Sequence, residues 1–242
     1  MKKTAIITGA SRGIGRACAI ELANYFDHIV INSFHNVEAL EDTRTIILNK
    51  GTECTAIAGD IGDYEFVTDF MESIISLLPS VDLFVNNAGI SYVGLLSDMT
   101  IDDWNQIVRT NLTSVFNCCN RIVPYMVKKH SGHIINISSM WGLSGASCEV
   151  AYSATKGGVN AFTKALAKEL APSSIRVNAI ACGAIDTSMN SNLDPSEKAV
   201  LCDDIPACRF GTPEEIAQAV VHLYQSPFYL TGEIIKIDGG YL

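Results

Sequence analysis

The chain reads as an α/β protein, a doubly wound parallel sheet of about seven strands with helices on both faces, in a single domain (1–242). Three observations predict this class. Short apolar, β-branched runs alternate along the whole length with longer stretches of helical pattern. A glycine-rich turn, Thr8-Gly9-Ala10-Ser11-Arg12-Gly13-Ile14-Gly15, joins the first run to the first helical stretch. No internal repeat or low-complexity linker divides the 242 residues, and 48% hydrophobic with 18% charged residues suits one sizeable core.

Taken in order, the strand candidates are 4–8, 29–33, 54–58, 83–86, 133–138, 176–181 and 234–237. Runs such as Ile29-Val30-Ile31-Asn32-Ser33 have the β-branched content and polar ending of a buried strand. Between them lie helical stretches at 13–25, 37–49, 64–77, 101–129, 151–170 and 213–225. Strands that alternate with helices pair in parallel through right-handed crossovers, which places helices on both faces of the sheet. The stretch 183–210 reads as irregular, with Pro195, Pro206 and scattered Met189, Leu193 and Leu201. A loop of that length in a compact domain suits an active-site lid.

Composition narrows the function classes. A net charge of −9 argues against nucleic acid and against an anionic membrane as general partners. The apolar run after Lys2-Lys3 is too short for an export signal, and no stretch approaches eighteen apolar residues. A cytoplasmic protein with eight reduced cysteines is the expectation. Cys118 and Cys119 are adjacent, no Cys-x-x-Cys pair exists, and His130 with His133 forms an isolated His-x-x-His, so no metal site is expected.

The chemistry concentrates in Tyr152-Ser-Ala-Thr-Lys156, with Ser139 thirteen residues upstream. A Tyr and a Lys four apart share one helix face. The ammonium favours the phenolate, drawing the Tyr pKa down from about 10, and the serine hydroxyl is placed to hold a carbonyl or alcohol oxygen. Spacing alone is weak, because Tyr125 and Lys129 repeat it with Leu112 in the place of the serine. The glycine turn adds context. Gly9, Gly13 and Gly15 permit a tight turn with close backbone approach, and the helix start at Ile14 offers unpaired N–H groups to a pyrophosphate, as in a Rossmann-type site. The second strand ends Ile31-Asn32-Ser33-Phe34-His35 without the carboxylate of an NAD site, while Arg12 lies in the turn with Ser11. That combination points to NADP(H), with Ser33 in the cofactor-binding set.

With these residues in place, the chain resembles the short-chain dehydrogenase/reductase family from end to end. Asn86-Asn87-Ala88-Gly89 resembles the family's motif on the adenine side, and Asp60, with Ile61, resembles its adenine-contacting acid. Asn111 resembles the fourth member of the catalytic tetrad. Ile185-Asp186-Thr187, after Gly183, is similar to the segment that grips the nicotinamide carboxamide. The ending Thr231-Gly232-Glu233…Asp238-Gly239-Gly240 also fits. The resemblance implies that Ser139 binds the substrate carbonyl and that Tyr152 donates a proton as hydride arrives. Lys156 would bind the nicotinamide ribose, and Asn111 would hold a water leading to solvent. It also implies a homotetramer built on the Asn111 and Tyr152 helices. Ala181-Cys182-Gly183 departs from the family's usual Pro-Gly.

Two substrates stay open. The chain resembles bacterial 3-oxoacyl-acyl-carrier-protein reductases in its length and in Arg209-Phe-Gly-Thr-Pro-Glu-Glu-Ile216, and Lys128, Lys129 and His130 offer a basic patch for an acidic carrier. Pro172-Ser173-Ser174 lacks the second basic residue many such reductases carry. Met140, Trp141 and Glu149 form the candidate substrate segment, and its Trp-Gly…Gly-Ala-Ser-Cys-Glu-Val run resembles reductases of the aminopentanone modification on elongation factor P. A carboxylate at Glu149 suits a ketone that carries an ammonium. A non-catalytic dinucleotide-binding regulator is the reading from another class.

Overall fold

The structure is a computed structural model in which residues 2–190 and 194–242 are described. Seven parallel strands form one sheet in the order β3-β2-β1-β4-β5-β6-β7. They are β1 (Thr4–Ile7), β2 (His28–Ser33), β3 (Glu53–Ala58), β4 (Leu83–Asn86), β5 (Gly132–Ser139), β6 (Ile175–Cys182) and β7 (Ile234–Ile237). The expected architecture is therefore present, and the strand order reverses direction between β1 and β4. In a doubly wound sheet that reversal opens a crevice at the carboxyl ends of the two strands, where ligands bind.

Side-chain alternation builds a core on each face. Ala5, Ile7, Leu83 and Val85 point to one side, against helices α1 (Gly13–Leu22), α2 (Val37–Asn49) and α9 (Pro213–Gln225). Ile6, Phe84 and Ile134 point to the other, against α3 (Tyr64–Leu77), α5 (Ser114–Lys129) and α7 (Val150–Leu170). Both faces are covered, so the strand sequences are near-continuous apolar runs instead of alternating ones.

Three elements differ from the sequence expectation. The stretch 101–129 is not one helix: α4 (Ile101–Val108) passes through a π-helical turn (Arg109–Thr113) into α5. A short helix α6 (Trp141–Ser144) lies between Ser139 and Tyr152. The stretch 183–210 is not irregular throughout, because α8 (Pro195–Asp204) lies inside it. Its start has a physical signature: Asp194 accepts from the Ser196 and Glu197 N–H groups, Glu197 caps in return, and Pro195 occupies the first turn. Residues 191–193 of this stretch lie outside the described residues. Among the described residues, no helix is long and apolar enough to cross a membrane.

Candidate active site

The glycine turn emerges from β1 at the sheet's crevice. Gly9 and Gly13 have left-handed backbone angles, φ +65° and +54°, which glycine adopts without strain. Gly15 packs closest of the three turn glycines: a Cβ there would lie 2.3 Å from both Gly9 O and Asn87 Nδ2. Asn87 clamps the turn to the end of β4, its Nδ2 donating to Thr8 O at 2.9 Å and Gly9 O at 3.1 Å. Thr8 Oγ1 accepts in return from the N–H groups of Asn87 (3.0 Å) and Ala88 (3.2 Å). Sequence reasoning missed Thr8 as the partner of the Asn-Asn-Ala-Gly segment, although its position before the first glycine was the available signal. Asn86, by contrast, faces the core: it donates to Asn136 Oδ1 at 2.9 Å, and Asn136 donates to Thr163 Oγ1 on α7 at 2.8 Å.

Ser11 and Ser33 are both buried and 3.0 Å apart, which brings the end of β2 to the turn. Arg12 is exposed and makes no ion pair among the described residues. The Arg12 side chain does not cap α1, and among the described residues no side chain accepts from the first N–H groups of the helix. A cavity of about 350 Å³ lies beside this turn, lined by Arg12, Gly13, Arg16, Asp186, Thr187 and Glu214 among others. Ile185 is buried, and the segment that follows it is held by Asp186 N–H donating to Gly211 O at 2.9 Å. Gly183 packs against the final turn: a Cβ would come within 2.6 Å of Asp238 Cα. Asp60 and Ile61 follow β3, and Ile61 is buried with its carbonyl accepting from Asn117 at 3.1 Å.

Ser139 ends β5 and Tyr152 lies on the first turn of α7. The Ser139 hydroxyl hydrogen-bonds the Tyr152 phenol and also accepts from the Trp141 N–H at 3.2 Å. Lys156, only 5% exposed, sits one turn further along α7, with Nζ 5.7 Å from the Tyr152 ring centre and donating to Ile137 O at 2.8 Å. Asn111 is buried in the π-helical turn and grips the backbone after β4: Ile90 N–H donates to Oδ1 and Nδ2 donates to Ile90 O, both at 2.8 Å. Nδ2 also reaches Thr155 Oγ1 at 3.3 Å, a contact that the interior of the Tyr-x-x-x-Lys motif already offered to a sequence reader. Gly89 passes between the two polar groups, since a Cβ there would lie 3.3 Å from Asn111 Oδ1 and 3.5 Å from Lys156 Nζ. The structure thus brings Asn111, Ser139, Tyr152 and Lys156 together at the carboxyl end of the sheet.

The electrostatics correct one expectation. Burial pushes the Tyr152 phenol up, against the pull of the Ser139 hydrogen bond, and Lys156 is not what governs it. Burial draws the Lys156 ammonium down from 10.5 to about 8, with the neighbouring Cys182 working weakly the other way. Desolvation therefore dominates both groups in the cofactor-free protein. The phenol is kept protonated and the ammonium stays largely charged at neutral pH. This is the state a proton donor to a carbonyl requires.

The candidate substrate residues divide. Met140 is buried, its N–H donating to Cys182 O at 2.8 Å, so it belongs to the floor where β5 meets β6. Trp141 is partly exposed, its indole bonds the Glu149 carboxyl, and its ring meets Tyr241 edge-on at 5.7 Å. Burial raises the Glu149 pKa against that hydrogen bond, and Glu149 in turn helps raise that of Tyr152. Gly142 escaped sequence notice: a Cβ there would collide with the Lys156 backbone at 2.6 Å, so α6 lies directly on α7.

The comparisons with known proteins agree with this geometry. The family described as short chain dehydrogenase matches residues 3–198. The 3-oxoacyl-[acyl-carrier-protein] reductase of Staphylococcus aureus is 39% identical over 241 residues, covering 99% of this chain and 98% of that protein. The corresponding reductase of Synechocystis is 38% identical, covering 98% and 96%. Among solved structures, a putative gluconate dehydrogenase from Agrobacterium tumefaciens superposes with a TM-score of 0.94 at 33% identity, covering 99% and 95%. A 3-oxoacyl-[acyl-carrier protein] reductase from Brucella melitensis gives 0.92 at 34%, covering 100% and 91%. The chain belongs to the short-chain dehydrogenase family, oxidoreductases that act on CH–OH and C=O groups.

Proposed function

We propose that the chain is an NADPH-dependent ketoreductase and that its ketone is a 3-oxoacyl thioester presented by acyl carrier protein. The observation that carries the reaction class is the cluster of Ser139, Tyr152, Lys156 and Asn111 in one buried site. The donor set fits a nicotinamide dinucleotide. Gly9, Ser11, Arg12, Gly13, Ile14 and Gly15 cradle a pyrophosphate, with Asn87, Ala88 and Gly89 behind the turn and Asp60 and Ile61 toward the adenine. Lys156, with a single hydrogen bond among the described residues, to Ile137 O, has donors to spare for ribose hydroxyls. Gly183, Ile185 and Thr187 close the nicotinamide side. Exposed Arg12 and the absence of a carboxylate at Ser33 favour the 2′-phosphate of NADP(H).

When bound, the cofactor supplies the hydride. Ser139 holds the ketone oxygen by hydrogen bonding and so fixes the carbonyl carbon in place. Tyr152 gives its phenolic proton to that oxygen, and the charged Lys156 stabilises the phenolate left behind. Asn111 fixes the backbone at Ile90 beside Lys156, on the route by which water returns the proton. Residues 183–210, with α8, act as the substrate lid.

The carrier reading draws on the relatives, which are named as acyl-carrier-protein reductases, and on exposed Lys128, Lys129 and His130 at the end of α5. One observation favours a second substrate. Glu149 sets a partly buried carboxyl beside Tyr152, where a neutral acyl chain has no use for it. An ammonium-bearing ketone does, and the aminopentanone modification on elongation factor P is of that kind. The test follows NADPH and NADH consumption with acetoacetyl thioester and with modified elongation factor P. Turnover of the thioester alone supports the first reading, and turnover of the modified factor alone transfers the assignment to the second. A clear NADH preference refutes the cofactor assignment.

A further inference from the structure

The π-helical turn that delivers Asn111 carries a second side chain, and its partner lies outside the catalytic cluster. Arg109 opens the turn two residues before Asn111, and its guanidinium lies 2.6 Å from Asp60 Oδ2. The other carboxylate oxygen, Oδ1, accepts the Gly62 N–H at 2.8 Å. Asp60 is therefore gripped at both oxygens, by its own loop on one side and by the turn on the other.

The fit is close. A Cβ on Gly62 would lie 2.8 Å from Arg109 Cγ and 3.0 Å from Asp60 Oδ1, so the missing side chain is what lets the arginine lie across the loop. A second strut ties the same loop to the next helix, from buried Asn117 on α5 to Ile61 O at 3.1 Å. An ion pair between two exposed ends is worth little. Here the Asp60 side chain is only 19% exposed, and its hydrogen bonds leave it few orientations.

Asp60 follows β3, on the flank of the crevice where the proposed dinucleotide places its adenine. An ionised carboxylate can only accept hydrogen bonds, and adenine's exocyclic amine is a donor. An unneutralised carboxylate there would also repel the phosphates of the cofactor. We propose that Arg109 is a positioning residue for adenine: it orients Asp60 to accept the exocyclic amine and cancels its charge. This rests on the dinucleotide reading above. One turn of helix would then serve both ends of the cofactor, with Arg109 toward the adenine and Asn111 toward the catalytic lysine.

The probe is a pair of cofactors that differ at that amine, NADPH and nicotinamide hypoxanthine dinucleotide phosphate, in which oxygen replaces it. Dissociation constants are measured by fluorescence titration on the full-length protein and on Arg109→Met, with Arg109→Lys as the conservative variant. Wild type is expected to hold NADPH about 10-fold tighter than the hypoxanthine analogue, the worth of one charge-assisted hydrogen bond. Arg109→Met should cut that preference to about 2-fold, and Arg109→Lys should restore part of it. Equal weakening of both cofactors, with the preference intact, would mean a general disturbance of the turn and overturns the proposal. Wild type without any preference overturns it too. A wild-type protein that binds neither NADPH nor NADH instead sinks the dinucleotide reading itself, and this proposal with it.

Discussion

Replacing Lys156 by methionine should abolish turnover while making the cofactor-free protein more stable. Lys156 is 5% exposed and its ammonium makes one hydrogen bond among the described residues, to Ile137 O. Burial lowers its pKa from 10.5 in the unfolded chain to about 8. Below about pH 8 both states carry the proton, and the native state bears the full cost of a buried charge. Between about pH 8 and 10.5 the native state releases the proton and the unfolded state keeps it, so stability rises with pH across that window. At 1.36 kcal/mol per pH unit, the difference between 10.5 and about 8 is worth about 3 kcal/mol. Methionine fills similar volume without charge, and losing the bond to Ile137 O costs about 1 kcal/mol. The net gain at pH 7 is about 2 kcal/mol, a rise in Tm of about 4–8 °C for a chain of this size. Thermal unfolding of both proteins, followed by circular dichroism at pH 7 and pH 10, reads it directly. The advantage of Lys156→Met should shrink at pH 10. A variant less stable than wild type at pH 7 would refute the claim that desolvation governs this lysine.

Tyr152→Phe should lower kcat by about 10²–10⁴-fold, the usual worth of a positioned proton donor, with the NADPH dissociation constant unchanged; retained turnover counts against the mechanism. His133 is fully buried at the start of β5, its Nε2 3.0 Å from Asn178 Nδ2 and its Nδ1 without a partner, and burial beside Arg176 draws its pKa down from 6.5 to about 3. The unfolded chain therefore takes up this proton first as pH falls, and stability drops by about 4–5 kcal/mol between about pH 6.5 and 3. Denaturant unfolding of His133→Phe should show a shallower loss over that window, and an identical slope would remove His133 from the account. Gly15→Ala places a methyl 2.3 Å from Gly9 O and should cost about 1–3 kcal/mol along with most NADPH affinity. Wild-type binding by calorimetry would show that the turn has more room than its distances imply.

Much of the site was legible because its chemistry is local in sequence. Glycines before a helix, a serine at a strand end and a Tyr–Lys pair each announce themselves. The pair at Tyr125 and Lys129 shows the limit of such reading. Its Nζ lies 5.6 Å from the ring centre, against 5.7 Å for Tyr152 and Lys156, yet Tyr125 donates to Pro79 O and its lysine is exposed. Helix geometry makes the two pairs alike, and only the neighbour across the fold separates them. The π-helical turn was not legible, because one extra residue in a helix leaves the periodicity of 101–129 nearly intact. Helix α8 was missed for a different reason: the stretch around Pro195 read as irregular, although Pro after a capping Asp194 starts a helix. The lysine–tyrosine electrostatics went astray because burial, which outweighs the mutual influence of the pair, is a property of the fold and not of spacing.

The buried chain from Asn86 through Asn136 to Thr163 concerns aim as well as cohesion. It anchors α7 to the two central strands at a point eleven residues beyond Tyr152, about 16 Å along the helix axis. Thr163 is the far end of a row of ties along α7, since Asn160 Nδ2 donates to Gly142 O at 3.0 Å and Ser138 Oγ to Lys156 O at 3.3 Å between it and Tyr152. Over that length each degree of helix tilt carries the hydroxyl about 0.3 Å, and a misplacement of about 1 Å can cost about 10²-fold in rate. The aim of Tyr152 is thus held in part from a distance, by two amides and a hydroxyl buried between the central strands and α7.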